Sequence, residues 1–288
     1  MKPAAFDYQV PRTLDEALAL LAGADRPAVP LAGGQSLVPL LNQRRVRPAT
    51  VVDLNRVAGL AGIRVTADSV RVGAMTRLSD VEADPALTAA LPVLAHTAGL
   101  VAHRQIRHRS TLGGSLCHAD PAGQLPACVV ALGARLTLHS TQGARTLDAE
   151  DFFQGPHLTA RRPGELLTAV AIPRRPGFRH RFEEVSRRGS AGRPLVGVCL
   201  AVAVEGPVVV RARLAASGIA DRPVRLREAE RALVGQPPGT SLSGVLDAAS
   251  AAADPPGDLH GSAAYRTDML RTALRRAVTR LVPERNAA

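Results

Sequence analysis

The sequence predicts an α+β protein in two parts, and three observations carry the prediction. A strand, a glycine turn and a helix follow one another near the start, two β-rich runs lie beyond residue 193, and Pro173-Arg174-Arg175-Pro176-Gly177 interrupts the pattern between them. With 288 residues, 46% of them hydrophobic, the chain suffices for one large domain or two modest ones. A core of that size hides about 75% of the unfolded surface.

The elements follow in order. Thr13, with Asp15 and Glu16 in the first turn, caps a helix over Ala17–Ala22. Ala28–Ala32 reads as a short strand, Gly33-Gly34 as a turn and Ser36–Asn42 as a turn of helix. Thr50–Leu54 is a second strand, and Gly62–Thr66 with Ser69–Gly73 alternates as a hairpin around Ala67-Asp68. Leu78–Ala102 has a helical pattern with a break at Leu91-Pro92. A basic loop, His103–Arg109, leads to a second glycine turn, Thr111–Ser115. Asp120-Pro121 is read as capping a helix through Leu125–Leu132, with strands at Arg135–His139 and Leu166–Ile172. Residues 174–193 hold seven arginines against two glutamates, so the domain boundary is placed there. Beyond it Pro194–Val204 and Val208–Ala216 are β-rich, and Pro223–Leu233 and Ala263–Val282 read as helices.

Composition narrows the function. The net charge is +11, from 36 basic and 25 acidic residues, and every basic residue except Lys2 is arginine. That skew suits a polyanion-binding surface or an arginine-biased background with ordinary surface and interface pairs. Seven aromatics and no Trp argue against stacking platforms for single-stranded nucleic acid, so no nucleic-acid partner is expected. The longest apolar run, Leu195–Val204, has ten residues, short of the roughly 20 that span a bilayer. No membrane span is expected, and the opening Met1-Lys2-Pro3 lacks a secretory apolar core, so a cytoplasmic location is the expectation. Cys117, Cys128 and Cys199 are odd in number and lack CxxC spacing, which builds neither a disulfide framework nor a four-cysteine cluster. The histidines show no helix-spaced metal pattern, and no metal site is expected on this chain.

Two segments carry the chemistry. Ala32-Gly33-Gly34-Gln35-Ser36 and Thr111-Leu112-Gly113-Gly114-Ser115 each join a Gly-Gly pair to a hydroxyl residue, with 80 positions between the pairs. Glycine lets backbone approach closely and take positive φ, so successive N–H groups can converge on an anion while hydroxyls add donors. Two such loops could clamp one pyrophosphate, with a helix start behind each favouring negative charge. Neither matches GxGxxG or GxxxxGK[ST], and each could be only a turn.

The stretch Ile106–Pro121, IRHRSTLGGSLCHADP, resembles the signature of the FAD-binding medium subunit of molybdenum hydroxylases, the carbon monoxide dehydrogenase, xanthine dehydrogenase and aldehyde oxidase family. Phe6-Asp7-Tyr8, Leu31–Leu37, Val52-Asp53-Leu54, Arg71–Thr76 and Ala263–Arg266 resemble the family in the same order, so the resemblance spans essentially the whole chain. It implies a two-lobed FAD-binding domain of the vanillyl-alcohol oxidase (PCMH) type over residues 1–175. A smaller domain of antiparallel sheet with helices, like the carbon monoxide dehydrogenase flavoprotein C-terminal domain, would follow over 176–288. It implies that residues 32–36 and 111–115 hold the FAD pyrophosphate, that Val101 and Leu167 pack about the flavin or adenine, and that Gln124 stands toward the ribose.

The chain departs from the family pattern at several places. Gln124 replaces a common acid, Ser115 an Asn or Asp, and His108 an Asn. Gly189-Ser190-Ala191-Gly192-Arg193 lacks the aromatic that usually lies near the isoalloxazine. The resemblance further implies an oxidoreductase subunit with no catalytic acid or base of its own. It would pass electrons from [2Fe-2S] clusters on a small iron–sulfur subunit through FAD to an external acceptor, with molybdopterin on a large subunit and a dimer of heterotrimers overall. A stand-alone flavoprotein oxidase and a non-catalytic module that has lost FAD are the alternatives.

Overall fold

Local sequence sets the first lobe. The computed structural model describes residues 2–23, 27–190, 194–206, 208–237 and 241–281. Thr13 and Glu16 form a reciprocal capping box on α1 (Leu14–Ala22), as its composition predicts. Strands β1 (Asp7–Gln9), β2 (Ala28–Leu31) and β3 (Thr50–Asp53) make a parallel sheet in the order β1-β3-β2, and α2 (Leu37–Asn42) follows β2. The strand β1, hidden in a polar segment, is not evident from periodicity.

The second lobe is built on a five-stranded antiparallel sheet. The hairpin β4 (Ile63–Val65) and β5 (Ser69–Gly73) precedes α3 (Leu78–Ala83), α4 (Pro85–Ala90) and α5 (Pro92–Leu100). The predicted break falls where Pro92 sits in the first turn of α5. The expected basic loop contains a short helix, α6 (Arg104–Arg107), and then come α7 (Leu112–His118) and α8 (Gln124–Leu132). Asp120 does not cap α8: it accepts a hydrogen bond from the Ala122 N–H, and Gly123 takes the cap position. Strands β6 (Arg135–Ser140) and β7 (Gly143–Asp148), helix α9 (Ala149–Phe152), the small pair β8 (Phe153–Gly155) and β9 (Leu158–Thr159), and β10 (Leu166–Pro173) complete the lobe. The sheet order is β4-β5-β10-β6-β7.

The last part is an antiparallel meander with helices on one face. It comprises β11 (Phe178–Ser190), β12 (Pro194–Glu205), β13 (Val208–Ser217), β14 (Val224–Arg225), α10 (Arg227–Leu233), α11 (Ser243–Ala251) and α12 (Ala263–Leu281). Most of the arginine-rich stretch is therefore strand β11, and only residues 174–177 connect it to β10. The helix expected from Pro223 begins only at Arg227, because Val224 and Arg225 pair with β13.

β12 explains the ten-residue apolar run. Val196, Val198, Leu200 and Val202 face α10, α11 and α12, while Cys199 faces the core of the second lobe. A strand covered on both faces needs no polar alternation. The same sandwich buries all nine residues of α8, which packs against α5 on one side and β12 and β13 on the other. Phe182, Cys199 and Ala215 thus belong to the core of the second lobe, although they lie past residue 175.

Candidate functional site

The first glycine turn leaves β2 with its backbone donors uncommitted. Gly34 has φ +77°, a conformation that favours glycine, and its carbonyl accepts from the Val38 N–H at 3.0 Å. The N–H groups of Gly33, Gly34, Gln35 and Ser36 have no hydrogen-bond partner among the described residues. Ser36 makes no side-chain cap on α2, so its hydroxyl is also uncommitted.

The second segment differs from the expected glycine turn. Thr111 is the cap, its hydroxyl accepting from the Gly114 N–H at 3.0 Å, so Gly113 and Gly114 lie within the first turn of α7 and neither has positive φ. Its N–H groups are engaged: Leu112 donates to Thr76 O at 3.0 Å, Gly113 to Ala74 O at 2.8 Å and Ser115 to Thr111 O at 3.0 Å. Anion-binding N–H groups are therefore a property of the first turn alone, and the second offers the Ser115 hydroxyl.

Close approach is what the glycines have in common. A Cβ at Gly33 would lie 2.1 Å from the Arg109 carbonyl oxygen, and one at Gly113 2.5 Å from the Ala74 Cβ. At Gly114 it would meet the Thr111 hydroxyl at 2.8 Å and the Ala32 Cβ at 3.4 Å. The two segments are packed on each other through atoms that leave no room for a side chain. A polar brace crosses behind them. Asn55 Nδ2 donates to the Ala32 carbonyl at 3.0 Å, while Arg77 donates to the Arg109 carbonyl and to Asn55 Oδ1. Asp53 holds Asn55 in turn and accepts from the Tyr8 hydroxyl. Burial works to raise the Asp53 carboxyl, but the bonds from Tyr8 and Asn55 prevail and hold it below its ordinary value.

Between the segments lies a cavity of about 510 Å³. Ala32, Gly33, Gly34, Gln35, Ser36, Val101, Thr111, Gly113, Gly114, Ser115, Gln124 and Leu167 all line it. Leu112 does not: it is wholly buried in the core of the second lobe, because at the first position of α7 it points away from the cavity. Residues 191–193, on which most of the missing-aromatic segment falls, lie outside the described residues.

Sequence reasoning missed Cys117, His118, Asp120 and Arg161, which also line the cavity. The His118 ring lies 4.6 Å from that of His157, tilted by 39°, and His157 Nδ1 bonds the His118 carbonyl oxygen at 2.9 Å. Burial pushes the Cys117 thiol up to about 11, so it is protonated at neutral pH. Arg161 comes from the segment before β10, and only the tertiary fold brings it here. Among the described residues no three His, Cys, Asp or Glu could hold one metal ion.

Gln124 opens α8 and is 6% exposed. Its Nε2 donates to the Leu100 carbonyl at 3.2 Å and to Glu184 Oε2 at 3.1 Å. Burial raises the Glu184 carboxyl above its ordinary value, against the hydrogen bond from Gln124. Free N–H groups, hydroxyls, two amides and apolar walls suit an extended ligand with an anionic centre and sugar-like hydroxyls.

Comparison with known proteins agrees. Residues 4–175 match the family described as the FAD binding domain in molybdopterin dehydrogenase, and residues 180–281 match the CO dehydrogenase flavoprotein C-terminal domain. The 6-hydroxypseudooxynicotine dehydrogenase complex subunit alpha of Paenarthrobacter nicotinovorans is 38% identical, over 97% of this chain and 95% of its own. The carbon monoxide dehydrogenase medium chain of Afipia carboxidovorans is 38% identical, over 97% of this chain and 98% of its own. Among solved structures, the carbon monoxide dehydrogenase of Hydrogenophaga pseudoflava that lacks the Mo-pyranopterin moiety superposes with a TM-score of 0.94. That match has 34% identity and covers 98% of each chain.

Proposed function

The chain belongs to the family of FAD-binding medium subunits of the molybdenum hydroxylases, and from that membership we propose that the cavity between residues 32–36 and 111–115 is its FAD site. It is an oxidoreductase component that acts in a multi-subunit enzyme. The observation that carries the site assignment is the row of four uncommitted N–H groups at Gly33–Ser36, set against a helix turn whose glycines admit no Cβ. Such a cradle fits a pyrophosphate, whose oxygens satisfy donors that the chain leaves open. The hydroxyls of Ser36 and Ser115 add donors, and Val101 and Leu167 offer apolar walls to a ring. Leu112 serves by anchoring α7 from within the core.

Bound FAD supplies one- and two-electron redox chemistry, so the chain's own work is binding, orientation and exclusion of water. The electrons come from [2Fe-2S] clusters on a small iron–sulfur subunit, substrate is oxidised on a large molybdopterin subunit, and the whole is a cytoplasmic dimer of heterotrimers. The cysteines support clusters on a partner, since Cys128 and Cys199 are buried in the core and Cys117 stands apart in the cavity wall. Residues 1–175 form the FAD-binding domain and 176–288 the C-terminal domain.

Purification of the chain tests this. A yellow protein with stoichiometric FAD, bleached by the partner subunits with substrate, is the expected result. A colourless protein that cannot be reconstituted with FAD would refute it.

A further inference from the structure

We propose that Glu184, on β11 of the C-terminal part, is a positioning residue for the cofactor: it fixes the Gln124 side chain so that the amide presents only an acceptor to the cavity. The inference rests on the FAD reading above and deepens it.

An amide side chain has one accepting and one donating end, and what it recognises depends on which end faces the ligand. Gln124 meets two groups within the protein, the Leu100 carbonyl oxygen and the Glu184 carboxylate, and both are acceptors. The nitrogen must turn to them, and both of its hydrogens are engaged. Gln124 Oε1, which has no partner among the described residues, is left as the group for a ligand in the cavity that Gln124 lines. The complementary ligand group is a hydroxyl, as carried by the sugar and ribityl portions of FAD.

Leu100 alone would hold only one hydrogen of the amide. Glu184 makes the flipped orientation unfavourable, because Gln124 Oε1 would then face a carboxylate oxygen. Glu184 Oε1 is buried without a partner among the described residues. Among the described residues no salt bridge accounts for this carboxylate, unlike its neighbour Glu183, which is paired with Arg181 and Arg280. Gln124 is its one hydrogen-bond partner among the described residues. Keeping a partly buried carboxylate for one neutral amide costs stability, which is the mark of a site residue rather than a structural one.

FAD affinity of the full chain, measured by flavin fluorescence on the apoprotein beside thermal melting, tests the assignment. Glu184→Leu should weaken FAD about three- to ten-fold, the loss expected for one hydrogen bond no longer held in place. Glu184→Gln keeps an acceptor for Gln124 and should stay within about two-fold even where its melting temperature falls. The double variant Gln124→Ala/Glu184→Leu should bind no worse than Gln124→Ala alone, because the two residues act as one unit. Unchanged affinity in Glu184→Leu, or losses that add in the double variant, overturns the proposal. Should Glu184→Leu not fold, Glu184→Asp, whose carboxylate is withdrawn by one methylene, is read by the same criteria. Failure of the unaltered protein to bind FAD would instead overturn the cofactor assignment itself, so the two failures are distinct.

Discussion

Gly33 shows how little freedom the site leaves a single residue. Its hydrogen lies where a methyl group would press into the Arg109 carbonyl, an atom already held by Arg77. Backbone cannot yield as a flexible side chain does, so Gly33→Ala must part the two segments. We expect it to abolish FAD retention through gel filtration and to lower stability by about 1–3 kcal/mol, the usual cost of overpacking. Full FAD occupancy in this variant would show that the close approach is not needed. Gly34 is required for another reason, its positive φ, while Gly113 and Gly114 are required for space alone. Four glycines that look equivalent in sequence thus meet different demands.

At the scale of elements, polar contacts decide where segments dock. The segment before β10, which carries Arg161 to the cavity, is tied to β7 by a bidentate pair, Arg145 Nε to Glu165 Oε1 at 2.6 Å and Nη2 to Oε2 at 2.8 Å. The Arg162 N–H also donates to Glu165 Oε2 at 2.6 Å. The Arg145 hydrogen bonds outweigh burial and hold Glu165 below its ordinary value. On acidification the unfolded chain therefore takes up the proton first. The pair's contribution is complete above the ordinary glutamate value of 4.5 and is lost as the pH falls through the depressed native value. Glu165→Gln should cost about 1–3 kcal/mol at neutral pH and flatten the acid limb of the melting-temperature profile. Parallel acid limbs for the two proteins would disprove the assignment. Arginine plays a second part at α8, whose last carbonyls accept from Arg213 Nε at 2.7 Å and Arg175 Nη1 at 2.5 Å. Burial lowers Arg213 to about 10, so it still carries its charge at neutral pH while capping a helix from the neighbouring domain.

The molecule as a whole does not divide where the chain changes character. Phe182, Cys199 and Ala215 complete the core of the second lobe, and the Gly218 N–H donates to the Pro121 carbonyl at 2.8 Å. A chain ending at residue 175 would expose the face of α8 that packs on β12 and β13. We expect that fragment to aggregate and to bind no FAD, as judged by its soluble fraction and gel-filtration profile. A monomeric fragment that retains FAD would show that the lobe folds alone. The arginines of the boundary are also reassigned. Arg174 donates to the Thr66 carbonyl, Arg175 to Leu132, Arg179 to Leu281, and Arg181 pairs with Glu183. Much of the positive charge in this stretch fastens parts of the chain to one another and is not displayed to a polyanion.

What the sequence determines by itself is what depends on near neighbours. The capping box of α1, the hairpin at Ala67-Asp68, the break before Pro92 and the two Gly-Gly segments are all written in adjacent residues, because caps, turns and φ preferences act over a few positions. Even the doubly covered strand β12 announces itself through an unbroken apolar run. Only the tertiary structure decides which backbone donors remain open at residues 33–36 and that those of Leu112 and Gly113 are engaged, since their partners Thr76 and Ala74 lie far along the chain. It alone places Leu112 in the core, brings Arg161 to the cavity and sets Glu184 against Gln124. Hydrogen-bond commitment is a property of the whole fold: a donor is free or engaged according to what distant segments bring within about 3 Å of it.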